Sequence, residues 1–136
     1  MKSKALALFL FLTLVSVTYV FGQHFWRGET ISIKKVEKKW GNADFQPEKF
    51  RIATPIERAK MTYSLIQSKK YIGNSVSTIR KVLGDPDGYY FSDVYPAYII
   101  TESGKKGDDI WQIVFLIDND RNVSEVIVHK NCCYSK

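Results

Sequence analysis

Residues 71–90 read YIGNSVSTIRKVLGDPDGYY, and they decide the fold. Ser75 stands where a hydroxyl can accept from the free N–H groups of a first helical turn. Val76, Ile79, Val82 and Leu83 follow at helical spacing and form one apolar face. Gly84 supplies a left-handed position just past the helix, and Pro86 forbids continuation. A helix this short, stopped this sharply, is a connector that turns straight into a sheet.

Working upstream, TPIERAKMTYSLIQSK begins at Thr54. Thr54, Pro55 and Glu57 spell an N-cap, a proline at the first helical position and a capping-box glutamate. Ile56, Ala59, Met61, Leu65 and Ile66 supply the stripe expected to be buried. Downstream the period changes. Tyr89–Phe91 and Ala97–Thr101 read as strands, separated by a loop with Asp93 and Pro96. ESGKKGDD (102–109) is a polar turn, and IWQIVFLI (110–117) is a β-prone, nearly all-apolar run expected at the sheet centre. DNDRN turns the chain into a last strand, Val123–His129. Helices followed by strands predict an α+β fold: two N-terminal helices on one face of a three- to four-stranded antiparallel sheet, spanning residues 54–130. Residues 23–53 lack clear periodicity and are expected to be an extended, partly ordered arm docking a few of its aromatics.

The chain has 136 residues, enough for one domain. Residues 1–22 read as a secretory signal: Lys2 and Lys4 precede an apolar run from Ala5 to Val20, and Gln23 would begin the mature chain. The alternative is an uncleaved N-terminal membrane anchor, since Phe25 and Trp26 extend the apolar character. The mature part keeps 18 of the 20 basic residues and all 14 acidic ones. A net charge of +4 is too mild and scattered for nucleic acid. The dense run is KKVEKKW; Lys34, Lys35, Lys38 and Lys39 form either a solvated face or a contact with anionic headgroups, with Trp40 at the interface.

The chemistry a catalyst needs is not assembled. DNDRN opens like an EF-hand loop but carries Val123 and His129 where glycine and a bidentate glutamate belong. Cys132 and Cys133 are adjacent, in a tail over 131–136, so a bond between them would close almost no loop. A vicinal disulfide, a bridge to another chain and two free thiols all stay open, and with them a thiol-dependent redox function of low rank. Only His24 and His129 could join the cysteines, so no metal-ligand spacing forms. Asp85/Asp87 and Asp108/Asp109 lie in turns, where aspartate bonds its own backbone. No glycine-rich phosphate loop is present, and no cofactor is expected. Tyr89, Tyr90, Phe91, Tyr95 and Tyr98 crowd ten residues, with Trp111 and Phe115 further on. Phe91, Trp111 and Phe115 are expected in the core, and Tyr90 and Tyr95 in an exposed partner-binding patch.

YIGNSVSTIRKVLGDPD followed by WQIVF and VSEVIV resembles the SmpA/OmlA family, the BamE-like small outer-membrane assembly lipoproteins. Ile72 and Gly73 stand near the family's opening positions, and Ser75 stands for its capping threonine. Leu83-Gly84-Asp85-Pro86 matches its L-G-x-P. Trp111 and Phe115 match the strand signature, Val123 and Val126 the last strand. The resemblance covers Tyr71 to His129. It implies a helix pair on an antiparallel sheet, a shape shared with β-lactamase inhibitor protein modules, and binding in place of catalysis. The family's lipidated cysteine is absent, and the Ser92–Asp109 connection is longer than its usual one. The expectation is a non-catalytic exported protein-binding module, periplasmic or at the outer-membrane periphery of a Gram-negative bacterium, assisting envelope assembly. The alternative is an inhibitor-like domain that occludes a partner enzyme.

Overall fold

The computed structural model describes residues 28–101 and 110–131. The segment read as a signal or anchor, the turn expected at 102–109, and Cys132 and Cys133 lie outside the described residues. Among the described residues no helix is long and apolar enough to cross a membrane.

The fold is α+β, and the described residues form four helices and a four-stranded antiparallel sheet. In chain order the elements are β1 (Glu29–Ile31), α1 (Ile33–Trp40), α2 (Pro47–Ile52), α3 (Pro55–Ser68), α4 (Val76–Leu83), β2 (Ala97–Thr101), β3 (Ile110–Ile117) and β4 (Val123–Asn131). The sheet order is β1-β4-β3-β2. β3 is therefore interior, as its apolar run predicts, and the meander β2-β3-β4 is closed on its far side by β1.

The helix boundaries follow their caps. Ser75 Oγ accepts the Thr78 N–H at 3.2 Å. The Glu57 carboxylate takes both the Thr54 hydroxyl (2.7 Å) and the Thr54 N–H (2.8 Å). Those two bonds hold the Glu57 carboxyl below its ordinary range. Gly84 ends α4 with φ +88° and ψ −175°. That is an extended mirror-image conformation, not the helical left-handed one expected, and it equally demands glycine. The Gly84 carbonyl then accepts the Tyr98 hydroxyl at 2.8 Å, tying the end of α4 to β2. Burial pushes the Tyr98 phenol far above its ordinary value. In the DNDRN turn, Asp118 Oδ1 accepts the N–H groups of Asp120 and Asn122 at 3.0 and 2.9 Å.

Side-chain alternation along β3 sorts the sheet into two faces. Trp111, Ile113 and Phe115 join Tyr98, Ile100 and Val128 under the helices, with Ala59, Leu65, Ile79 and Leu83 packed on them. Gln112 and Val114 face the opposite side, as does His129, the cross-strand partner of Gln112. All three are buried as well.

Three expectations need correction. Residues 28–53 are not an extended arm: they supply the fourth strand and two helices, and Val36 and Phe50 are wholly buried in the core. Each short helix buries a single residue, so no periodic signal accumulates over its length. Tyr89–Phe91 is not a strand, because the chain there makes only an isolated bridge from Tyr90 to Ser92. Ile56 is exposed; Arg58 and Thr62 take buried places on α3 instead.

Candidate functional site

Arg58 is buried because it has something to hold. Its Nη1 meets Asp87 Oδ2 at 2.5 Å, with the Asp87 side chain 44% exposed and that of Arg58 only 10%. Asp87 Oδ1 accepts the Ile99 N–H at 2.9 Å, and Arg58 Nη1 donates to the Ile99 carbonyl at 3.4 Å. Gly88 N–H bonds the Ala97 carbonyl at 2.9 Å. Together these groups occupy the outer edge of β2, where an open strand would otherwise invite another chain. They also fix where the chain leaves for the other side of the sheet.

Gln112 completes that placement. It is fully buried, the one amide in an apolar strand. Its Oε1 accepts the Tyr89 N–H at 3.1 Å, and its Nε2 donates at 2.8 Å to both the Tyr89 carbonyl and Asn131 Oδ1. The buried amide is thereby satisfied, and the backbone of Tyr89 is gripped at both ends. Gly88 makes the approach feasible: a Cβ there would lie 2.5 Å from Gln112 Oε1 and 3.1 Å from the Ala97 carbonyl.

The loop so held lies over the sheet face that the helices leave. Tyr90 sets its ring edge-on to His129, with centroids 4.8 Å apart, and packs likewise on Tyr95 (5.8 Å) and Phe91 (4.6 Å). His129 is buried beneath it. Phe91 is the centre of a three-residue turn. Ser92 N–H reaches back to the Tyr90 carbonyl at 2.6 Å, and Phe91 takes φ +56°. A γ-turn with positive φ is strained for a bulky side chain. The Tyr89 hydroxyl donates to the Phe91 carbonyl at 2.8 Å and braces the turn from outside.

This geometry rearranges the expected patch. Tyr90 and Tyr95, expected as exposed anchors, are half-buried and form an inner layer. Phe91, expected in the core, is 55% exposed, Tyr89 is 57% exposed, and Val94 further along the loop is exposed too. Trp111 and Phe115 are buried as expected. The sequence carried one signal for this arrangement, the solitary glutamine inside IWQIVFLI. A buried amide must find partners, and here they are the backbone groups of Tyr89.

Other concave regions offer less. A groove of about 670 Å³ lies between α1, α3 and β4, lined mainly by apolar groups such as Ile31, Leu65, Ile66 and Val126, with Lys69 and Glu125 among its lining residues. A smaller polar hollow of about 330 Å³ beside the aromatic loop includes Arg80, Asp85, Ser92 and Asp93. Among the described residues no group of three His, Cys, Asp or Glu side chains could hold a metal ion. Trp40, at the end of the lysine run, is half-buried, its ring edge-on to Trp111 at 5.7 Å. No family model, no curated protein and no solved structure matches this chain.

Proposed function

We propose that this protein is a non-catalytic, exported binding module that engages a protein partner through the loop carrying Tyr89, Phe91 and Val94. One observation carries the proposal: Phe91 is exposed and held in a strained turn, while everything beneath it is fixed. Strain of this kind persists only where surrounding contacts over-determine it, and such sites concentrate at binding surfaces. The rigid support is the buried Gln112 clamp together with the Tyr90–His129 and Tyr90–Tyr95 ring contacts. Aromatic side chains on a pre-ordered loop bring large contact area at small entropic cost, as interface anchors do.

Export rests on the N-terminal signal, and a place in envelope assembly rests on the SmpA/OmlA resemblance over Tyr71–His129. A bulky residue at the tip of a rigid turn also suits the second reading, an inhibitor that plugs an enzyme's active site. The two readings differ in the nature of the partner. Affinity isolation from envelope extract, comparing the parent with a Tyr89→Ala, Phe91→Ala variant, tests the binding surface. The expected result is a discrete protein retained by the parent and lost from the folded variant. Equal capture by both would place binding elsewhere. If the retained protein is an enzyme that the purified chain inhibits, the second reading holds.

A further inference from the structure

α1 divides its residues cleanly between two sides. Val36 is buried in the core, Trp40 is half-buried against it, and Ile33 is half-buried. Lys34, Lys35, Lys38 and Lys39 are all exposed. The single acidic residue of the helix, Glu37, is partly exposed and accepts from the exposed Asn42 Nδ2 at 3.4 Å. Among the described residues, none of the four lysines is in an ion pair. With Glu37 counted, these two turns of helix carry +3, against a net +4 for residues 23–136 as a whole.

The lysines adjoin a cleft of about 410 Å³ lined by Lys35, Lys38, Lys39, Glu29, Ile31 and Trp111. Glu29 does not compete for those lysines, since Lys130 Nζ holds its carboxylate at 3.0 Å. Lys39 Nζ lies 5.4 Å from the Trp40 ring centre and 5.8 Å from that of Trp111, so its ammonium is steadied at the cleft mouth.

We infer that α1 is a docking surface for an anionic bilayer. The four ammonium groups would meet the phosphate layer, and the cleft beside Trp111 would take a headgroup. Charge complementarity selects this occupant: a planar array of lysines on a pre-formed helix fits a planar field of phosphates, and such lysines act additively near an anionic surface. The orientation follows from the sheet. α1 packs through Trp40 on the Trp111 face, whereas the aromatic loop covers the Gln112 and His129 face. Docking through α1 therefore turns Tyr89 and Phe91 away from the membrane, toward partners in the aqueous space. The inference does not depend on the aromatic loop's role.

Vesicle flotation tests it, using the mature chain from Gln23, which contains every described element. Vesicles of phosphatidylglycerol with phosphatidylethanolamine should float the protein, and vesicles of phosphatidylcholine alone should not. Added salt should release it. Each Lys→Gln substitution at 34, 35, 38 and 39 should lower partitioning about fivefold. Glutamine preserves helix propensity, and circular dichroism of the quadruple variant checks the fold. The inference is overturned if the folded quadruple variant floats as the parent does, or if neutral vesicles serve equally. It is also overturned if the parent fails to float on anionic vesicles, including the case where it binds soluble polyphosphate through the same lysines.

Discussion

Gln112, buried in the second-from-edge strand β3, holds Tyr89 by both backbone groups, accepting its N–H at 3.1 Å and donating to its carbonyl at 2.8 Å. The amide thus does for the loop what a neighbouring strand would do, on the sheet face without helices. Replacing Gln112 by leucine keeps the volume and removes the grip. The expected cost is about 2 kcal/mol in urea denaturation, since the Tyr89 groups lose charge-neutral bonds formed in a dry setting. Hydrogen exchange should quicken at the Tyr89 amide while the β3 amides keep their protection. Unchanged exchange at Tyr89 would show that the loop is held by other means.

The two layers of the aromatic loop should respond oppositely to substitution. Tyr90→Ala removes three ring contacts and uncovers His129, so it should cost about 2 kcal/mol. Phe91→Gly relieves a positive φ at an exposed position and should raise stability by about 1 kcal/mol. Partner binding should nevertheless fall in the glycine variant. Gain of stability with loss of binding is the mark of a side chain kept for contact, not for folding. A Phe91→Gly protein less stable than the parent would contradict the strain assigned here.

Arg58 and Asp87 form the other support of the loop. Asp87→Ala strands a buried guanidinium and frees the Ile99 N–H, so the loss should be about 2 kcal/mol or more. Adding Arg58→Met to that variant should recover part of the loss, because the uncompensated charge is gone. Strict additivity in this cycle would mean that the two side chains are not coupled.

The N-terminal elements belong to the folded unit. Phe50 on α2 is wholly buried and sets its ring edge-on to Tyr98 at 5.7 Å and to Phe45 at 5.8 Å. Phe50→Ala should therefore cost about 3–5 kcal/mol, the range for a large core deletion. A midpoint close to the parent's would restore the picture of a loosely docked arm.

The parts legible in the sequence were those whose signals are local. Ser75, Thr54, Pro55 and Glu57 mark helix starts through their own backbone chemistry, and β3 announces itself through a run that is apolar except for Gln112. Residues 28–53 hid their structure because α1 and α2 each bury one side chain, and the lysine run masked the inward spacing of Ile33, Val36 and Trp40. The aromatic loop was visible as a cluster but not as layers. Whether Tyr90 or Phe91 faces water depends on a γ-turn at Phe91 and on an amide 23 residues away, neither of which is a local property. The Arg58–Asp87 pair was hidden for the same reason, with 29 residues between its members.

The most direct test of the binding surface is a photo-crosslinking amino acid placed at position 91 in the intact cell, with position 52 as control. Ile52 is 86% exposed but lies on α2, in the helix layer away from the aromatic loop. The expected result is a discrete protein adduct from position 91, none of the same size from position 52, and loss of the adduct when Gln112→Leu loosens the loop. The same adduct from both positions, or none from position 91, would contradict a partner surface built on Tyr89 and Phe91.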